Sequence, residues 1–115
     1  MSINLTAGQA LRLWHQANLN MVLDEEPDLS VRQMAILLTI YLETPPHTVR
    51  GLANKLNVSK PVITRALDSM GILGLVSRRR DENDKRNVLI QRTVDGSLYL
   101  EKLGDMIARQ SQLQD

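Results

Sequence analysis

A mainly α fold carrying one small β-hairpin, an α+β arrangement, follows from three features of the sequence. Five segments space their apolar residues three and four apart, as a helix with one buried face requires. Two of these segments are short and meet at a tight turn around Asn57. After Gly74 the apolar period falls to two, crosses a wholly charged turn, and then becomes helical again. The 115 residues suffice for a single domain, 1–115, with a real core. A content of 43% hydrophobic and 23% charged residues is that of a soluble globular protein.

Thr6 is suited to cap a first helix, Ala7 to about Leu23, with Leu11, Trp14, Ala17 and Leu19 on its broad apolar face. Trp14 reads as core or subunit-interface filler, since it lies outside the basic part of the chain described below. His15 has no second histidine or carboxylate at ligand spacing, so no metal is expected there. Asp24, Glu25, Glu26, Pro27 and Asp28 end the helix in a linker that lacks the glycine and terminal glutamate of a calcium loop. Ser30 caps a second helix, Val31 to about Leu42, apolar nearly all round and so expected in the middle of the domain.

Pro45 and Pro46 terminate that helix, and His47 is expected as a solvated turn residue, with a phosphate contact as its second reading. Thr48 caps Val49–Leu56, Asn57 takes the left-handed turn, and Val58 points back into the core. Ser59 then caps the helix Lys60–Leu73, with Pro61 in the first turn, where no N–H bond is lost. Its buried stripe is Ile63, Ala66, Leu67 and Met70; its outer side shows Lys60, Thr64, Arg65 and Asp68. Two short helices joined in this way form a helix-turn-helix, whose second member enters the major groove in DNA-binding examples. Leu75–Arg79 and Asn87–Arg92 read as paired strands, making the segment from about 75 to 92 a wing with basic residues at base and tip. Thr93 caps a last helix, Val94 to about Gln110, in which Gly96 and Gly104 allow close packing.

Without cysteine there is no disulfide framework and no thiolate site. The apolar runs are too short to cross a bilayer and the N-terminus carries no basic and hydrophobic signal block, so a cytoplasmic protein is expected. Catalysis is not expected: no glycine-rich phosphate loop, no nucleophile beside a base and no metal-spaced set is present. Charge is segregated. Residues 1–46 hold two basic against five acidic residues (−3), 47–92 ten against four (+6), and 93–115 two against four (−2). A polyanion therefore meets one basic middle segment between acidic ends, the footprint of a nucleic-acid surface.

The run LANKLNVSKPVITRALDSMGILGLVSRRRDENDKRNVLIQRTVDG resembles the helix-turn-helix and wing of the MarR family of transcription regulators. Leu52-Ala53, Val58-Ser59, Ile63-Thr64-Arg65, Leu67, Gly74-Leu75-Val76 and Arg78 are in register, followed by Asp84 and Arg86 spaced D-x-R and by Leu89, Ile90, Thr93 and Gly96. The resemblance implies major-groove contacts from Ser59, Lys60, Pro61, Thr64 and Arg65, and an Asp84 that orients Arg86 toward the minor groove. Arg78, Arg79, Arg80 and Lys85 complete the expected DNA-binding surface of the wing. Two departures from the family pattern stand out. Only 23 residues follow Arg92, so the usual helical dimer platform is expected to be absent or abbreviated, and no small-molecule effector or other cofactor is expected. Arg92 stands where an apolar residue is usual, either extending the basic surface or placing a solvated charge on an edge.

The expected function is that of a sequence-specific double-stranded-DNA-binding regulator, a repressor, forming a homodimer through its first and last helices. The same residues leave open a winged-helix module that binds another protein with the wing as a charged rim. Arg65→Ala and Arg86→Ala separate the two, since only the first function needs those side chains.

Overall fold

The computed structural model describes residues 4–24 and 27–113. Its elements are α1 (Ala7–Leu23), α2 (Val31–Leu42), β1 (His47–Thr48), α3 (Val49–Leu56), α4 (Lys60–Ile72), β2 (Val76–Arg80), β3 (Val88–Arg92) and α5 (Val94–Gln112). Glu25 and Glu26 of the acidic turn lie outside the described residues.

Local chemistry starts most of the helices. Thr6 and Ser30 each accept from the backbone N–H three residues on, while Gln9 and Gln33 reach back to the cap N–H, so α1 and α2 both open with a full capping box. Thr48 accepts from Gly51 N at 3.0 Å, and Thr93 Oγ1 accepts from Gly96 N at 2.9 Å. Ser59 corrects the sequence reading. It occupies the cap position of α4 in extended backbone, but its side chain makes no cap hydrogen bond, and Pro61 sits in the first turn. Between α3 and α4 the chain turns at Asn57, whose φ of 56° and ψ of 49° are left-handed; asparagine tolerates this better than most side chains. Gly74, at φ 76°, makes the second such turn, and α4 accordingly ends at Ile72 rather than Leu73.

The chain divides into two compact units: Leu29–Tyr99, and the described residues of Met1–Asp28 with Leu100–Asp115. In the first, α2 buries one stripe and not its whole circumference, since Val31 and Leu42 stay 84% and 76% exposed. Ile36, Leu37 and Ile40 are fully buried with Ile63, Leu67 and Met70 of α4, and Leu52 of α3 and Ile90 of β3 are nearly so. In the second, Ala17 is buried and Lys102 pairs with Asp24 at 3.2 Å. Trp14, Leu11 and Val22 of α1 stay 56%, 70% and 75% exposed, so Trp14 is not core filler within one chain.

The sheet has three strands in the order β1-β3-β2, all antiparallel. The hairpin pairs Arg78 with Ile90 and Arg80 with Val88; β1 adds His47 opposite Ile90 and Thr48 opposite Leu89. His47 is thus buried in a ladder, with Nε2 3.2 Å from the Glu43 carbonyl oxygen, and is neither a solvated turn residue nor placed for a phosphate. Arg92 is corrected as well. Its Nε donates to Ile40 O at 2.9 Å and its Nη2 to Glu43 O at 3.0 Å, so the guanidinium closes the C-terminal end of α2 instead of widening the basic surface.

Candidate nucleic-acid interface

The outer side of α4 begins with Ser59, Lys60 and Pro61, all exposed, and continues one turn on through half-buried Thr64 to exposed Arg65. Thr64 Oγ1 donates to Lys60 O at 3.1 Å, a bond back onto its own helix that fixes the hydroxyl's direction. The Lys60 and Arg65 side chains have no hydrogen-bond or ion-pair partner among the described residues. Both cations are therefore available to an incoming anion. Their helix is held from behind by fully buried Ile63, Leu67 and Met70.

The wing is stiffened mainly by hydrogen bonds within seven residues. Asp81 N donates to Asn87 O at 3.0 Å, Asn87 N to Asp84 O at 2.9 Å, and Asn83 N to the Asp81 carboxylate at 2.9 Å. Arg80 Nη1 donates across the loop to Lys85 O at 3.0 Å. The Asp84 carboxylate accepts from both the backbone N and the Nε of Arg86, each at 3.1 Å. Arg86 nevertheless leaves its side chain 91% exposed, so it is held at one edge and open over the rest.

Those bonds from the Arg86 side chain and backbone, with a smaller contribution from Arg50, hold the Asp84 carboxyl below its ordinary range. A depressed carboxyl pKa means that the pair is intact at neutral pH and is lost only as pH falls through the lowered value. The Arg86 amide shift, followed by NMR, should accordingly titrate below the ordinary carboxylate range, and Asp84→Asn should reach the acid-form shift at neutral pH. A midpoint at or above the ordinary range would count against the pair. Arg50, in the first turn of α3, is a cation near the wing that the motif reading left out; its place inside the basic 47–92 segment was the available signal.

The three consecutive arginines do not act alike. Side chains alternate along a strand, so Arg78 and Arg80 share one face of β2 and Arg79 takes the other. Arg78 Nη2 donates to Asp68 Oδ1 of α4 at 2.6 Å, an ion pair that ties the wing to the outer face of α4 and occupies much of that guanidinium's capacity. Arg79 has no such partner among the described residues. Of the residues singled out from sequence, Lys60, Arg65, Arg79, Lys85 and Arg86 are the cations most open to a ligand, while Arg78 and Arg80 are partly engaged within the fold.

A helix-turn-helix followed by a charged hairpin, with a short strand ahead of the helix-turn-helix completing a three-stranded sheet, defines a winged-helix protein. Residues 29–88, over half of the sequence, match the model of the MarR family, and the chain belongs to that family. It is 38% identical over 73 residues to the organic hydroperoxide resistance transcriptional regulator of Bacillus subtilis, a match covering 64% of this chain and 48% of that protein. It is 43% identical over 51 residues to the HTH-type transcriptional repressor YetL of the same organism, covering 44% of this chain and 30% of YetL. Both are transcription regulators. The chain spans about half the length of the first relative and under a third of the second. Among solved structures, the S. aureus MepR-DNA complex shares the fold with a TM-score of 0.69 at 18% identity, over 93% of this chain and 79% of that one.

Proposed function

We propose that the chain is a sequence-specific, double-stranded-DNA-binding transcription regulator that acts as a repressor from the cytoplasm. The first turns of α4 enter the major groove, with Lys60, Thr64 and Arg65 meeting phosphates and base edges, and Arg86 of the wing enters the adjoining minor groove. The observation that carries this reading is Arg86 itself, 91% exposed yet bonded to Asp84 along one edge. A guanidinium oriented before contact loses less freedom on docking, and a narrow A·T-rich groove concentrates negative potential around it. Family membership supports the same reading, and the repressor role follows the name of YetL.

A second copy of this chain is the proposed cover for the exposed apolar side chains of α1, Leu11, Trp14 and Val22, and a two-fold dimer would match half-sites about one helical turn apart. Selection of duplexes from a random pool, with molar mass measured in parallel, tests both parts. If a selected duplex is held by phosphate contacts, affinity falls steeply with salt, and Arg79→Ala lowers the slope of log K against log salt by about one. A salt-independent affinity, or no enrichment of any duplex, would refute the reading.

A further inference from the structure

We propose that Tyr41 and Arg92 are positioning residues for the wing, fixing the hairpin root on the end of α2 and thereby the angle at which Arg86 is presented. This rests on the DNA-binding reading for its consequence, but its geometry stands apart from it.

The Tyr41 hydroxyl donates to Leu75 O at 2.7 Å and accepts from Thr93 N at 2.9 Å. Leu75 immediately precedes β2 and Thr93 immediately follows β3, so one oxygen on α2 grips both ends of the hairpin. Thr93 reinforces the closure, donating from Oγ1 to Gly74 O at 2.7 Å. Arg92, the last residue of β3, reaches the other way: its two bonds to Ile40 O and Glu43 O take up carbonyls that the end of α2 leaves free. Its guanidinium lies 5.9 Å from the centre of the Tyr41 ring, within cation–π range, so the two side chains support each other. A Cβ on Gly96 would overlap the Tyr41 hydroxyl and the Leu75 carbonyl, so the first turn of α5 is kept bare where the hydroxyl sits.

The consequence is one of leverage. β3 rises about 13 Å from Arg92 to Val88 at about 3.3 Å per residue, and the turn that carries Arg86 lies beyond it. A tilt of about 10° at the root then moves the start of that turn by about 2 Å, beyond the tolerance of a hydrogen bond. The root is also held by the β1–β3 pairing at His47–Ile90 and Thr48–Leu89 and by buried Leu75, Val76 and Ile90, and Tyr41 and Arg92 add to these restraints; the Arg78–Asp68 pair is exposed, and exposed pairs contribute little. The hairpin's own ladder sets its shape but not its angle to α4.

The test uses Tyr41→Phe, which removes only the hydroxyl, and Arg92→Met, which keeps an apolar stem; circular dichroism checks that each folds. Amide hydrogen exchange in the free protein should speed about tenfold in the hairpin, residues 76–92, and stay unchanged in α4. In duplex binding, each variant should lose about fivefold in affinity in the parent and less than twofold in an Arg86→Ala background, because a misaimed wing matters only while its arginine is present. A purely structural role would produce the same loss in both backgrounds, and that result, or unchanged hairpin exchange, overturns the proposal. If the parent chain binds no duplex at all, the proposed function fails while the exchange measurement still decides whether the root is clamped in this way.

Discussion

Replacement of Arg65 by alanine is expected to weaken binding to a selected duplex by about 1–3 kcal/mol, roughly five- to 150-fold, without unfolding the protein. The side chain is exposed on the second turn of α4 and has no hydrogen-bond or ion-pair partner among the described residues, so its removal leaves no protein group unsatisfied. Surface substitutions of that kind usually change stability by less than about 0.5 kcal/mol. Affinity and stability therefore separate at this residue. If Arg65 reads a base, the loss is concentrated on one position of the site and discrimination relaxes there; if it holds a phosphate, the loss is uniform across sequences. Fluorescence anisotropy on the selected duplex and on single-base variants distinguishes the two. An unchanged affinity would leave α4 without its proposed role and favour a module that recognises protein.

The opposite behaviour is expected at Leu67, on the inner side of the same helix. It is fully buried, and truncation to alanine should cost about 2–5 kcal/mol from lost transfer energy and the remaining cavity. Against a typical domain stability of about 5–15 kcal/mol this is a large fraction, visible as a lower urea midpoint at little-changed slope. Ile72, five residues later but 88% exposed, serves as the control and should shift the midpoint hardly at all. Equal effects at the two positions would mean that α4 does not pack as described.

What the sequence made legible is local. The capping boxes of α1 and α2 span three residues, the left-handed turn is one asparagine, and the Asp84–Arg86 pair spans two, so each is present in short stretches of chain. The buried stripe of α4 follows from spacing alone, and Ile63, Ala66, Leu67 and Met70 are all buried. The rest depends on partners far along the chain. β1 has only two residues, too few for an alternation to register, and it becomes a strand solely because β3 pairs with it, burying His47 in the process. Arg92 finds its carbonyl partners 49 and 52 residues earlier, and a charge in an apolar place gives no sign of that. Arg78 stands in sequence among the wing cations, yet its partner is Asp68, ten residues back on α4. Ser59 shows the limit from the other side: a residue type well suited to capping sits at the cap position and makes no cap bond, because type fixes capacity and not the rotamer.

The central claim is that one basic face, formed by the start of α4 and the wing, receives a double helix. Titrating isotope-labelled protein with the selected duplex and following backbone amides by NMR tests it most directly. The expected result is shift changes concentrated at residues 59–65 and 78–86, diminished when Arg65 and Arg86 are both replaced by alanine. Changes confined to α1 and the end of α5, or the same pattern from the doubly substituted protein at equal affinity, would contradict it.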